Sequence, residues 1–273
     1  MKKGTLSTII LVLIFLAGLS LLLYPTVSDY WNSLHQSRAI AEYAEQVANL
    51  DNELYDELID AARQYNEALR HKNNRFYMTE EERQEYESIL NVSGSRIMGY
   101  IEIPSIACSL PIYHGTGESV LQVGIGHIEG SSLPVGGAGT HCVLSGHRGL
   151  PSSKLFTDID KLSEGDLFII RVLDETISYE VDQILIVEPQ ELDSLAMEDG
   201  KDLCTLVTCT PYGINTHRLL VRGHRVENQE EAEDIRITAD AMQIAPEIIA
   251  PLVAAPLLVI LLIVLLVKTR KKR

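Results

Sequence analysis

Two long uncharged apolar runs, one near each end and each bordered on its outer side by basic residues, constrain this sequence more than any other feature. Lys2 and Lys3 precede a run from Gly4 to about Tyr24, and a second run, Ile248 to Val267, is followed by Lys268, Arg270, Lys271, Lys272 and Arg273. Each is long enough to cross a bilayer as a helix, which takes about 20 residues. A cleaved signal peptide also has a positive start and an apolar core, but that core is normally about 7–15 residues long. Here the run is longer, and Tyr24-Pro25 stands where a small-x-small cleavage site would be, so a retained span is expected. Pro251 and Pro256 interrupt the second run, which membrane helices tolerate better than soluble ones. Lys and Arg flanking spans stay cytoplasmic. The predicted topology is therefore N-in, C-in: a multi-pass protein of the cell membrane with its middle outside the cytoplasm.

With 273 residues, the chain has room for one sizeable domain between those spans. The expected layout is an N-terminal transmembrane helix over 1–27, a helical region over 28–90 and a β-rich domain over 91–226. A stalk over 227–247, a second transmembrane helix over 248–267 and a basic cytoplasmic tail over 268–273 complete it. All 38 Asp and Glu lie between Asp29 and Glu247, whereas seven of the 23 Lys and Arg lie in the tails, so the middle is more acidic than the formal net charge of −15 suggests. A field of that sign disfavours nucleic acid and anionic lipid as partners of the middle segment.

From Ser28 to about Lys72 the chain is rich in Ala, Glu and Gln and free of Gly and Pro. Leu54, Leu58, Ala61, Tyr65 and Leu69 recur at helical spacing, predicting two helices, or one broken helix, packed on the main domain by that stripe. Asn73 to Asn91 opens as a loop with Phe76-Tyr77 at its tip, and Thr79 followed by Glu82 is a capping-box pattern before a further short helix. Beyond Met98, short β-branched runs alternate with Gly and Pro. Strands are expected near Gly99–Ile103, Ser109–Tyr113, Gly124–His127, His141–Ser145, Leu167–Leu173, Ile177–Val187, Cys204–Cys209 and Arg218–His224. With a single short helical piece near Ser153–Phe156, this spacing predicts a mainly β fold, a closed barrel or a sandwich. Glu227 to Glu247 lacks periodicity and is mostly acidic, as a stalk would be.

Two of the strands end in reactive groups. THCVLSGHRGLP delivers His147 at a Gly-flanked turn, and CTLVTCTPYG delivers Cys209 just before Pro211-Tyr212-Gly213. A Gly/Pro turn directly after a buried strand projects the last side chain into a cleft. Cys108, Cys142 and Cys204 instead sit in apolar or β-branched surroundings and read as buried free thiols. The attacking species is the thiolate, and an ordinary cysteine, with a pKa of roughly 8.5, is mostly protonated at neutral pH, so nearby positive charge must help. His147 can supply it or act as general acid to a leaving amine, and Arg218, opening the next strand, can hold a developing oxyanion. Thr208, Ser145 and His217 are candidates for contacting substrate. His114, His127 and His141 read as structural hydrogen-bonding residues. No HExxH or paired CxxC spacing occurs, and neither metal nor cofactor is expected.

The segment TLVTCTPYGINTHRLLVRGHR (Thr205 to Arg225), together with LSGHRGLP (Leu144 to Pro151), closely resembles the sortases, and specifically the pilin-polymerising class C sortases. NVSGSRIMGYIEIPSI (Asn91 to Ile106), LPIYHGT (Leu110 to Thr116) and GIGHIEGSSLPVGG (Gly124 to Gly137) look like the same class. The resemblance implies a sortase β-barrel of about eight strands whose Cys-His-Arg site maps onto Cys209, His147 and Arg218. It implies a cysteine transpeptidase that cleaves an LPXTG-like sorting signal between Thr and Gly through a thioacyl-enzyme. The acyl group would pass to a lysine amine of a pilin subunit, with the enzyme acting as a monomer. Class C members commonly carry an Asp-Pro-aromatic lid before the barrel. This chain has Asn74-Arg75-Phe76-Tyr77 there, so the lid candidates are Phe76 and Tyr77 without the acidic anchor. Alternative activities are anchoring of surface proteins to the cell wall, hydrolysis by a thiol peptidase, and a non-enzymatic scaffold for pilus assembly.

Overall fold

The eight expected strands all form, and they close on themselves. A computed structural model describes residues 3–92 and 94–228; most of the expected stalk, the second span and the basic tail lie outside the described residues. The strands are β1 (Ile97–Ile103), β2 (Cys108–His114), β3 (Ile125–His127), β4 (Thr140–Ser145), β5 (Leu167–Val172), β6 (Glu175–Val187), β7 (Asp202–Thr210) and β8 (His217–Val226). Their order around the barrel is β1-β2-β3-β4-β7-β8-β6-β5. The sandwich alternative is therefore excluded. Two neighbouring pairs, β2·β3 and β4·β7, are parallel and the others antiparallel.

Period-two alternation separates the two faces of each strand. Cys204 and Leu206 of β7, with Leu219 and Val221 of β8, join the main interior cluster around Met98, Ile101, Phe156 and Phe168. Val207 and Leu220 point the other way, into a second apolar cluster on the outer face with Val143, Val187 and Leu195. Inside the barrel Phe168 and Tyr179 stack with centroids 5.4 Å apart. Gly223 leaves room for that pair, since a Cβ there would stand 2.7 Å from the Phe168 ring.

Four helices precede or interrupt the sheet: α1 (Lys3–Ala48), α2 (Asn52–Arg70), α3 (Glu80–Ser88) and α4 (Glu118–Leu121). The N-terminal apolar run and the expected 28–48 helix are one continuous element, α1, which passes through Pro25. It is long and apolar enough to cross a membrane by length and composition. Tyr43 docks it on the barrel, donating to the Met98 carbonyl at 3.0 Å and accepting from the Leu173 N–H at 2.8 Å. On α2 the buried line is Ile59, Ala62, Asn66 and Leu69; of the expected stripe only Leu69 is fully buried, and Leu54 is exposed. A polar residue occupies the centre of that line because Asn66 bonds both backbone groups of Leu133, donating at 3.1 Å and accepting at 2.7 Å. The capping box before α3 is present in both directions, at 2.8 and 3.3 Å.

The expected helical piece at Ser153–Phe156 does not form. That segment is a run of turns with a bridge between Leu150 and Ser153, and the nearest helical turn is a 3₁₀ turn at Ile159–Lys161. The reason is tertiary: α1 binds its backbone, Asn32 donating to the Ser152 carbonyl at 2.8 Å and Asp29 accepting from the Lys154 N–H at 2.8 Å.

Candidate active site

Strand register assembles the site. On parallel neighbours β4 and β7, Ser145 pairs with Val207. The Gly146 N–H continues the ladder to the Val207 carbonyl at 3.1 Å. His147 and Cys209 each lie two residues beyond that last pair, so they leave the same end of the barrel from adjacent strands. On the other side of β7, Cys209 pairs directly with Arg218 across the antiparallel β8. Cross-strand partners share a face with Cβ atoms about 5 Å apart. The sequence order is therefore His, Cys, Arg, and the spatial order is the same, with the sulfur in the middle.

Cys209 and Arg218 lie on the face of Val207 and Leu220, not on the interior face of Leu206 and Leu219. Both are half-buried. No disulfide constrains Cys209; all four cysteines are free thiols. Arg218 donates to the carbonyls of Asn215 and His217, at 3.3 and 3.1 Å, and to no carboxylate among the described residues. Arg222, four residues further along β8 on the same face, has Asp182 at 2.9 and 3.0 Å and Glu198 at 3.3 Å. Arg218 is thus a guanidinium whose charge is unspent beside the sulfur.

Glycine shapes the loop that carries His147. A Cβ at Gly146 would stand 2.7 Å from the Phe156 ring, and one at Gly149, where φ is +77°, would meet the Tyr212 ring at 2.9 Å. The Phe156 N–H donates to the His147 carbonyl at 3.1 Å. Thr208 is buried, and its hydroxyl donates to the Gly146 carbonyl at 2.8 Å, so this candidate for substrate contact holds the His147 loop to β7 from within. Ser145 lies half-buried on the Cys209 face, and His217 is half-buried at the site's edge beside the Thr216 hydroxyl at 2.9 Å.

Glu118 escaped the sequence reading: its carboxylate stands 4.0 Å from His147 Nε2. It lies on the single-turn helix α4, 29 positions before the histidine, and no spacing pattern in the sequence announces the contact. Tyr212 and Ile214, exposed on the β7–β8 loop, were likewise not singled out.

The 73–78 loop meets the outer face at its other end. Arg75 donates to the Leu195 carbonyl at 2.5 Å and lies 4.6 Å over the Phe76 ring. Gly130 admits the Arg75–Phe76 backbone, whereas Tyr77 is 81% exposed. The neighbouring Ala196 carbonyl accepts from His141, whose other nitrogen meets Thr205 on β7 at 2.7 Å. Thr205 is four residues before Cys209, about 13 Å at the strand rise of ~3.3 Å per residue.

Three other histidines and the other three cysteines sit in packed surroundings away from this end of the barrel or beneath it. Burial lowers His141, as it does His114, both satisfied by backbone carbonyls. His127 bonds Tyr86 at 2.9 Å and the Ser132 carbonyl at 2.8 Å. Cys142 and Cys204 face each other across β4·β7 in the interior, and burial raises the Cys204 thiol far above the ordinary range. Cys108 is half-buried as a residue, and the packing around its sulfur pushes that thiol up to about 12.

A sortase domain model matches residues 101–226. The crystal structure of sortase C1 from Streptococcus agalactiae superposes with a TM-score of 0.69 at 54% identity, covering 70% of this chain and 100% of that one. Sortase C from Clostridium perfringens, solved with the C-terminal cell wall sorting motif, gives 0.63 at 46% identity, covering 70% and 100%. Sortase D of Bacillus subtilis is 30% identical over 131 residues, 47% of this chain, which spans 63% of that relative's length.

Proposed function

The chain belongs to the sortase family of cysteine transpeptidases, with class C sortases among its structural neighbours, and on that premise we propose that it polymerises pilin subunits outside the cytoplasm, Cys209, His147 and Arg218 carrying the chemistry. The Cys209 thiolate attacks the threonine carbonyl of an LPXTG-like sorting signal. Arg218 donates to the oxyanion of the tetrahedral intermediate, and the imidazolium of His147 protonates the departing glycine amine. The C–N bond breaks and a thioester remains on Cys209. A lysine amine of the next pilin then attacks that thioester, neutral His147 takes the proton, and the sulfur leaves as thiolate. The product is an isopeptide link.

The observation that supports this reading is the register: His147 lies two residues past the end of β4, Cys209 pairs with Arg218 across β7 and β8 at the same end of the barrel, the thiol is free, and Arg218 meets no carboxylate among the described residues. Beneath that end the outer wall is backed by the buried cluster of Val143, Val187, Leu195, Val207 and Leu220. The lid role falls to Phe76 more than Tyr77, because Phe76 is the aromatic held against the barrel. Both ends of the chain are taken as cytoplasmic, with the helical region 28–90 and the barrel 91–226 outside and the protein acting as a monomer.

The deciding experiment incubates the purified full chain with a sorting-signal peptide and a lysine-bearing acceptor peptide and resolves the products by mass spectrometry. Isopeptide-linked product, abolished by Cys209→Ala, is expected. Cleaved acid alone would make the protein a hydrolytic peptidase, and cellular polymer formation with Cys209→Ala would make it a scaffold.

A further inference from the structure

The path of α1 along the barrel fixes which end of the catalytic domain faces the membrane. Tyr43 bonds Leu173, in the β5–β6 turn. That turn lies at the barrel end where β6 pairs Ser178 with Val226, the opposite end from the Val187–Arg218 pair. Toward the N-terminus, Gln36 donates to the Val123 carbonyl at 2.9 Å and Asn32 to the Ser152 carbonyl at 2.8 Å. Asp29 then accepts from the Lys154 N–H at 2.8 Å. Two of these partners, Ser152 and Lys154, belong to the loop that begins at His147. From Tyr43 to Asp29 the helix climbs about 21 Å at ~1.5 Å per residue, running from the far end of the barrel to the end that carries Cys209. The apolar run begins at Tyr24, only five residues or about 7.5 Å beyond Asp29. The headgroup layer on one side of a bilayer is itself roughly 5–8 Å deep.

The side chains at this end suit that neighbour. Tyr30 and Trp31 on α1 are 50% and 62% exposed, and Tyr212 and Ile214 on the β7–β8 loop 60% and 68%. The β7–β8 loop is joined to the α1-bound loop by Tyr212, whose ring packs on Gly149 and lies 5.9 Å from the Arg148 guanidinium. Tyr and Trp collect where one part of the side chain meets acyl chains and the other meets water.

We infer that the barrel stands on the bilayer with its cleft end down, Tyr212 and Ile214 seated in the lipid interface, so that Cys209 takes its sorting segment at the membrane surface. This rests on α1 being a membrane anchor, and the test separates the two ideas.

Trp31 is the only tryptophan in the chain. The full-length protein is reconstituted in vesicles of phosphatidylcholine and phosphatidylglycerol, with or without lipids brominated near the headgroup, and tryptophan emission is read. Two single-tryptophan variants are made in a Trp31→Phe background: Ile214→Trp, at the cleft end, and Asp174→Trp, in the β5–β6 turn. Brominated lipid should quench Trp31 in the parent and quench Ile214→Trp by a comparable fraction, leaving Asp174→Trp unchanged. No quenching of Trp31 overturns the anchor and the inference together. Quenching of Trp31 with none in Ile214→Trp, or equal quenching of Ile214→Trp and Asp174→Trp, overturns the orientation and leaves the anchor standing.

Discussion

Replacing Arg218 by alanine isolates the charge beside the sulfur. Its guanidinium is carried directly opposite Cys209 on β8 and, among the described residues, is bonded only to the carbonyls of Asn215 and His217, so its loss removes a cation and little else from the fold. A unit charge about 4 Å from a developing oxyanion interacts with it by roughly 4 kcal/mol at the effective dielectric of a protein surface. Removing one such donor from an oxyanion site elsewhere costs about 3–4 kcal/mol, or 10²–10³ in kcat. Both routes give the same expectation for Arg218→Ala: kcat/KM for a fluorogenic sorting peptide falls by about 10²–10³, KM changes little, and Tm stays within ~1–2 °C of the parent. Arg222→Ala is the control on the same strand. Asp182 and Glu198 already neutralise that side chain, so its loss affects stability while leaving kcat nearly intact. A fall in kcat/KM of less than about tenfold for Arg218→Ala, or an equal loss in Arg222→Ala, would refute the assignment of oxyanion stabilisation to Arg218.

Thr208→Val removes the buried hydroxyl that holds the Gly146 carbonyl, costing about 1–3 kcal/mol of stability; a kcat reduction with undiminished alkylation of Cys209 would show that His147 has shifted, and unchanged kcat would show that it has not. Under native conditions iodoacetamide should label Cys209 alone, because Cys142 and Cys204 are buried and the Cys108 thiol is held up near 12; mass spectrometry of Cys209→Ser should then find no adduct. Phe76→Ala with Tyr77→Ala should speed that alkylation if the loop restricts the cleft, and an unchanged rate removes the lid role. His141 titrates below its unfolded value of about 6.5, since burial disfavours the ring's charge. The unfolded chain therefore binds the proton first as pH falls, so stability is full above about 6.5 and declines below it. A His141→Asn variant should give a flatter Tm profile from pH 7 to 5.

Much of the fold was legible because a barrel strand advertises itself locally. β-branched residues alternate with polar ones, and Gly or Pro closes each run, so all eight strands appear within about two residues of their expected bounds. The strand-end placement of Cys209 and His147 was legible for the same reason: Cys209 is the penultimate residue of one buried strand and His147 lies two residues past another, each just before a turn. Errors arose where a second segment decided the outcome. The 153–156 stretch has helical composition, yet α1 captures its backbone in turns. The α2 stripe does pack on the core through Leu58, Ala61, Tyr65 and Leu69, but its most buried line also includes Asn66, which reads as solvent-exposed until Leu133 supplies both its hydrogen bonds.

By itself, the sequence determined that the chain carries membrane-length apolar runs, a β-rich domain and a cysteine set at a strand end, since hydrophobic length, period and turn chemistry are properties of short segments. Only the tertiary structure decided that β4 lies parallel beside β7, that Arg218 faces Cys209 on the outer wall, and that α1 leads from the cleft end toward its apolar run. Those depend on register and on contacts between residues tens to more than a hundred positions apart, and no local pattern encodes which strand will lie beside which.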